Sequence, residues 1–399
     1  MTETNSSAHN EKRVLVIIVI SQFLCTSIWF ASNAVIDQLV TVYGFADDSL
    51  SVLTSAVQFG FIVGTLTYAL FNLTDQYSPS KVFLLSAVLG ALFNVMITVI
   101  DPNLLGFAGL RFFVGFFLAG IYPVGMKIAA DYFKNGLGHS LGLLVGALVI
   151  GTALPHLLRG TFQALDWQLV FIVTSMLCTT GGLLIYWLVP DGPYRNPAKK
   201  IELGRFLDIF KNKQFRSAAI GYFGHMWELY TFWAFVPLII QHFQIQHPKT
   251  TLPLNPAFLA FLIIAVGALA CYLSGRLSQR FAPQKIAYLS LFGSMLCCIM
   301  TPWLLMVDEF FILYVFLLLW GILVVADSPM FSTLVAHSAP ADLKGSALTL
   351  VNCIGFGLTI VSIQMINWLS EVVNFELALS FLAIGPFLAL INHLCIKNR

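Results

Sequence analysis

Three formal charges stand deep inside long apolar stretches of this sequence: Arg111, Glu228 and Asp327. A charge at the centre of a lipid-crossing helix costs at least ~2.5–3.5 kcal/mol on insertion scales, so each must face protein or a wet cavity. Arg111 lies ~10 Å into its stretch at 1.5 Å per residue. A guanidinium there can hold an anion through a planar fork of N–H donors. It can equally serve as a carbonyl-bonded strut or as half of a structural ion pair. Glu228 lies ~16 Å into another stretch, near its midpoint. His225 precedes it by one turn within Tyr222-Phe-Gly-His225-Met-Trp227-Glu228-Leu-Tyr230. Such a carboxyl can take up and release a proton, and the imidazole can donate to it or relay that proton. A hydrogen-bonded structural pair and a His/Glu metal site are the competing readings, although no second ligand cluster has metal spacing.

Asp327, in Ala326-Asp327-Ser328-Pro329, suits a proton-carrying or gating role, or a local backbone anchor. Pro329 lacks an N–H and should bend the helix there. Trp29, Asn33, Tyr122 and Tyr230 are candidate substrate contacts. Gln58, Asn94, His156, Trp320 and Asn352 are further uncharged pathway candidates, though each also suits an ordinary core position.

The surrounding elements are helices. Of 399 residues, 58% are hydrophobic and 10% charged, against about 25% charged in soluble domains. Apolar runs at 14–36, 49–72, 82–100, 104–128, 138–160, 167–189, 217–243, 257–276, 286–306, 310–335, 345–369 and 377–396 predict twelve transmembrane helices. Lipid leaves no partner for open backbone groups, which requires helices throughout. The polar first thirteen residues run into the first span without a small-residue cleavage site, so an uncleaved span is expected. All seven cysteines fall inside apolar spans, with no Cys-x-x-Cys pair, as small buried hydrophobes do. A net charge of +2 gives no indication of nucleic acid.

Placement of charge sets the topology. Lys12, Arg13, Lys81, Lys134, Arg195, Lys199, Lys200, Arg205, Lys211, Lys213, Arg216, Arg280, Lys285, Lys344, Lys397 and Arg399 all lie on one side if alternate joints share a side. The other side carries Arg159 and Lys249 among Asp37, Asp47, Asp48, Asp101, Asp166, Asp308, Glu309, Glu371 and Glu376. The basic side is expected to be cytoplasmic, with both termini on it. A basic, proline-containing joint at 190–216 divides the chain into six-helix bundles at 1–189 and 217–399. Within it, residues 201–211 could lie on the membrane surface as an amphipathic helix.

The two bundles repeat each other. Leu73-Thr-Asp-Gln-Tyr-Ser-Pro-Ser-Lys81 returns 204 residues later as Leu277-Ser-Gln-Arg-Phe-Ala-Pro-Gln-Lys285. Gly115 and Pro123 return 206 residues later as Gly321 and Pro329, and Gly138 returns as Gly345. Ordered matches with a slowly drifting offset are the trace of a duplicated six-helix unit.

These segments also resemble the major facilitator superfamily. Its loop after the second helix is matched by Leu73, Asp75, Tyr77 and Lys81, and in the second half by Gly275, Leu277, Arg280, Phe281 and Lys285. Each loop keeps a different half of the family's Asp-Arg pair. Arg111 through Gly115 resembles the family's Arg-x-x-x-Gly helix, and Gly142 through Pro155 its glycine-rich fifth helix. Within the superfamily the text is loosely similar to the nitrate/nitrite and cyanate permeases, but no arginine inside a second-half span matches Arg111.

The resemblance implies two pseudo-symmetric bundles alternating access around a midplane site, with Asp75 closing an inner gate against a helix N-terminus of the other half and Arg280 in the matching loop. The expected function is proton-coupled symport of a small organic or inorganic anion by a monomer in the bacterial inner membrane. Arg111 would draw in the substrate, and Glu228 and His225 would handle protons. No cofactor is expected. A proton-antiport exporter of drugs or metabolites is the alternative; an intramembrane enzyme is disfavoured for want of paired carboxylates, a nucleophile with its base, or a metal cluster.

Overall fold

The computed structural model describes residues 2–46, 48–100, 103–133, 137–162, 166–195, 209–340 and 344–397, and among them every regular element is helical. Among the described residues, ten helices are long and apolar enough to cross a membrane. The broken first segment and the 34-residue helix Lys213–Gln246 bring the spans to twelve. An even number of spans puts both ends of the chain on one face of the bundle, here termed the terminal face. The amphipathic reading of 201–211 falls, for residues 201–208, outside the described residues.

Among the described residues, three spans are interrupted by turns, and the twelfth by a 3-10 stretch at Phe381–Ala383. The first runs Thr2–Thr26, turns through 27–30, and resumes as Ala31–Ala34 and Ile36–Tyr43. Thr26 Oγ1 donates to the Gln22 carbonyl (2.8 Å) and Ser27 Oγ to that of Leu24 (2.7 Å). Such back-bonding by short polar side chains gives the backbone an alternative to the helical ladder. The fourth span breaks between Leu104–Leu118 and Tyr122–Tyr132, and the tenth between Phe310–Ala326 and Ser328–Ser338. Each second piece carries a proline in its first turn, Pro123 or Pro329, where a missing N–H costs nothing. The disturbance expected near Pro329 is therefore present as a one-residue interruption at Asp327.

The duplication is visible in the packing. In the first half, the second span packs on the fourth, the first on the fifth and sixth, and the third on the fourth and sixth. In the second half, the eighth packs on the tenth, the seventh on the eleventh and twelfth, and the ninth on the tenth and twelfth. One contact recurs atom for atom. A Cβ on Gly115 would lie 1.9 Å from the Val57 carbonyl oxygen, and one on Gly321 would lie 2.3 Å from that of Ile263. Both glycine and partner are displaced by 206 residues, so only glycine lets these backbones touch in either half.

The halves meet mainly through the fifth span on the eighth and the second on the eleventh. Gln364 Nε2 donates to the Ser51 carbonyl (3.1 Å) and to Ser55 Oγ (2.9 Å). All three residues lie toward the face opposite the termini.

Candidate transport site and proton-handling residues

Arg111 is completely buried. Its Nη1 donates to Asn94 Oδ1 (2.9 Å), and its Nη2 to the carbonyls of Ile28 (3.0 Å) and Trp29. Those carbonyls belong to the turn that interrupts the first span. Asn94 in turn donates to the Phe171 carbonyl (3.1 Å), Thr174 Oγ1 (3.1 Å) and Ser175 Oγ (2.9 Å). The anion fork expected of Arg111 is thus engaged within the first half: a broken helix exposes carbonyls, and a buried guanidinium supplies donors to them. This geometry matches the strut of the two sequence readings, with only the Arg111 Nε left without a partner among the described residues.

In the second half the buried charges face other side chains. Glu228 Oε1 accepts from the Trp320 indole N–H (2.6 Å) and Oε2 from the Ser294 hydroxyl (2.9 Å). His225 Nδ1 lies 2.7 Å from Asp327 Oδ1, with both side chains buried. Among the described residues, His225 Nε2 and Asp327 Oδ2 have no partner. The expected His225–Glu228 relay is corrected here. Residues three apart sit about 60° apart around a helix at 100° per residue. His225 therefore meets the break of the tenth span, while Glu228 meets the ninth span and the body of the tenth.

Trp29 and Tyr230 meet across the halves, with ring centroids 5.8 Å apart. Phe30 and Phe61 join from the first half, and Trp233 and Phe356 from the second. Asn33 lies away from this cluster's ring contacts, donating to Thr54 Oγ1 (2.9 Å) in its own half. Tyr122 opens the second piece of the fourth span and is half-buried. Tyr222 donates to Asn352 Oδ1 (2.8 Å).

On the terminal face, Asp75 Oδ1 pairs with Lys127 Nζ (3.0 Å), which also lies 3.8 Å from Asp131. Arg195, in the joint between halves, pairs with Asp191 (2.5 Å) and donates to the carbonyls of Asp75 (3.1 Å) and Tyr77 (2.8 Å). In this conformation Asp75 is held by an ion pair within its own half and not by a helix of the other. An available ammonium 3.0 Å away is a stronger partner for a carboxylate than a distant helix end. Arg280 is exposed in the matching turn. Among the described residues, no group of three or more His, Cys, Asp or Glu is placed to hold a metal.

Sequence reasoning missed Ser294, Phe61, Phe356 and Lys127. Phe61 and Phe356 were hidden among 35 phenylalanines. Lys127 closes the polar end of the fourth span, where a basic residue near Asp75's loop was the available signal.

Two repeated six-span bundles with buried charges and an aromatic seam between them define a membrane transporter. The chain matches the family model of the Major Facilitator Superfamily over residues 18–363 and belongs to that superfamily. It is 23% identical over 300 residues to the putative transporter AraJ of Escherichia coli (strain K12), covering 72% of this chain and 71% of that protein. Its fold is similar to a bacterial homologue of the human lysosomal transporter Spinster in an inward-facing conformation, with a TM-score of 0.71 at 13% identity over 98% of this chain and 97% of that one. It is equally similar to the human organic anion transporter MFSD10, with a TM-score of 0.71 at 14% identity over 96% and 99% of the two chains. The protein is a transporter of a small solute and not an enzyme.

Proposed function

We propose that this transporter carries a small organic anion by proton symport, through alternating access of its two bundles across the bacterial inner membrane. The terminal face, with its excess of Lys and Arg, would be cytoplasmic, and bonds such as those of Gln364 would then help hold the outer entrance shut. One observation carries the coupling: a fully buried His225–Asp327 pair, 2.7 Å apart, at the break of a helix. A carboxylate and an imidazole in contact can share a proton and separate when the helix pieces move. Glu228, one turn from His225 on the seventh span, is the second carboxyl of this centre.

The name of MFSD10 and the loose resemblance to the nitrate/nitrite and cyanate permeases both support an anionic solute. Since Asn94 and the carbonyls of Ile28 and Trp29 take both terminal nitrogens of Arg111, leaving only its buried Nε without a partner among the described residues, the anion would meet other donors. The protein works in this reading as a monomer and without a cofactor.

The test uses proteoliposomes carrying an internal pH-sensitive dye. Benzoate, succinate and nitrate are added in turn, and proton entry is recorded for the wild type and for Asp327→Asn. Solute-driven proton entry in the wild type and its loss in the variant, with solute counterflow retained, is the expected result. Equal proton entry in both would remove Asp327 from the coupling; solute uptake with proton exit would reverse the direction to export.

A further inference from the structure

The seam of six rings between the halves carries two donors without acceptors. Trp29 and Trp233 are each 1% exposed, and neither indole N–H has a partner among the described residues. Both rings pack on Tyr230, with centroids 5.8 Å and 5.3 Å away. Trp29 comes from the first half and Trp233 from the second. A buried N–H without an acceptor is costly, and indole usually finds a partner when buried. Two such donors flanking one tyrosine are the mark of a site whose acceptor arrives from outside the protein.

We infer that the Trp29–Tyr230–Trp233 seam is the substrate site, built for a planar aromatic acid and not for a compact inorganic anion. This rests on the carrier reading above and narrows its substrate class. The walls are rings: Phe30, Phe61 and Phe356 complete the box, with Phe61 and Phe356 4.4 Å apart. Aromatic faces offer stacking area but cannot replace the hydration of nitrate. The rings touch one another here, and once the halves part a flat ring can enter between them, its carboxylate accepting from the two indoles. The charge is met at one remove, because Arg111 binds the Trp29 backbone carbonyl and so fixes a positive group at that residue. Each half contributes three rings, so parting the halves opens the box and their return encloses its contents. That gives substrate occupancy a direct hold on the rocking motion.

The experiment measures equilibrium binding to the purified full chain, with no pH gradient, by calorimetry. Benzoate and 2-naphthoate are compared with acetate, succinate and nitrate. At least one aromatic acid is expected to bind ten-fold or more tightly than the other three. Trp29→Phe and Trp233→Phe, which keep a ring and remove only the N–H, should each weaken that binding about five-fold. Trp227→Phe is the control: that indole also lacks a partner but packs beside Gly385, away from the box. The inference is overturned if neither aromatic acid binds, if succinate or nitrate binds as well as they do, or if both Phe variants keep full affinity. Binding without a gradient can fail while proton entry succeeds, and the reverse, so the two readings fail separately.

Discussion

The two halves share a packing plan yet use their buried charges in opposite ways. In the first half Arg111 addresses carbonyls of Ile28 and Trp29 and the amide of Asn94. Those partners cannot titrate, and an arginine does not give up its proton at working pH. In the second half His225, Asp327 and Glu228 address side chains: one another, Trp320 and Ser294. Every charged member there can change protonation state. The comparison teaches that a buried charge is to be judged by its partners. One bonded to backbone fixes a conformation, whereas a buried acid–imidazole pair can exchange a proton and so register two states.

The largest effect that would sharpen this contrast is expected at Arg111. Arg111→Met leaves two carbonyls and the Asn94 side-chain oxygen without their donor, each buried acceptor left unmet costing about 1–3 kcal/mol. Thermal unfolding in detergent should show a greatly lowered midpoint together with loss of transport. A variant that folds normally and loses only substrate affinity would restore Arg111 as a clamp and break the comparison. Next comes Gly115→Ala, where the added carbon would stand 1.9 Å from the Val57 oxygen; Gly321→Ala, at 2.3 Å from Ile263, should do less harm. Both should cost roughly 1–3 kcal/mol, as overpacking does. The same unfolding assay decides, and indifference at both sites would deny that the glycines hold the duplicated contact.

A comparable effect on stability is expected from Glu228→Gln. The amide keeps one oxygen to accept from Trp320 or Ser294 but turns its nitrogen toward the other donor. Stability should fall by about 1–3 kcal/mol for a buried donor left unmet. Proton entry should be reduced but not abolished, in contrast to Asp327→Asn. Complete loss of proton entry in Glu228→Gln, with Asp327→Asn intact, would move the coupling centre from the His225–Asp327 pair to Glu228.

How much of this was legible in the sequence follows from the kinds of partner involved. The twelve spans and the duplication were readable because hydrophobic runs and the spacing of Gly115, Pro123, Gly321 and Pro329 are written in residue types. The charges were found for the same reason: Arg111, Glu228 and Asp327 are conspicuous in apolar text. Their partners were not. The carbonyls of Ile28 and Trp29 carry no side-chain signature, so the strut stayed only one of two readings. Proximity along the chain favoured His225 with Glu228, while the fold paired His225 with Asp327, 102 residues away. Trp29 and Tyr230 were singled out one at a time; that they touch is a property of how the halves dock.

The smallest predicted effect concerns the terminal face. Lys127 and Asp75 are about one-quarter and one-eighth exposed, at 24% and 12%, so their pair is partly screened and should contribute little to stability, about 0–1 kcal/mol. Lys127→Ala should therefore leave the unfolding midpoint almost unchanged. Asp75 would still be held by its backbone, because Arg195 binds the carbonyls of Asp75 and Tyr77 whatever its side chain does. Freed of the lysine, the carboxylate could instead reach a partner in the other half, the contact the family resemblance implied. In that case the conformation closed at the terminal face gains, and cysteines placed across that face, in a chain lacking its native ones, should crosslink faster in Lys127→Ala than in the parent. An unchanged crosslinking rate would mean that Asp75 serves only its own half, and the two loops of the repeat would then differ in role as much as the two sets of buried charges do.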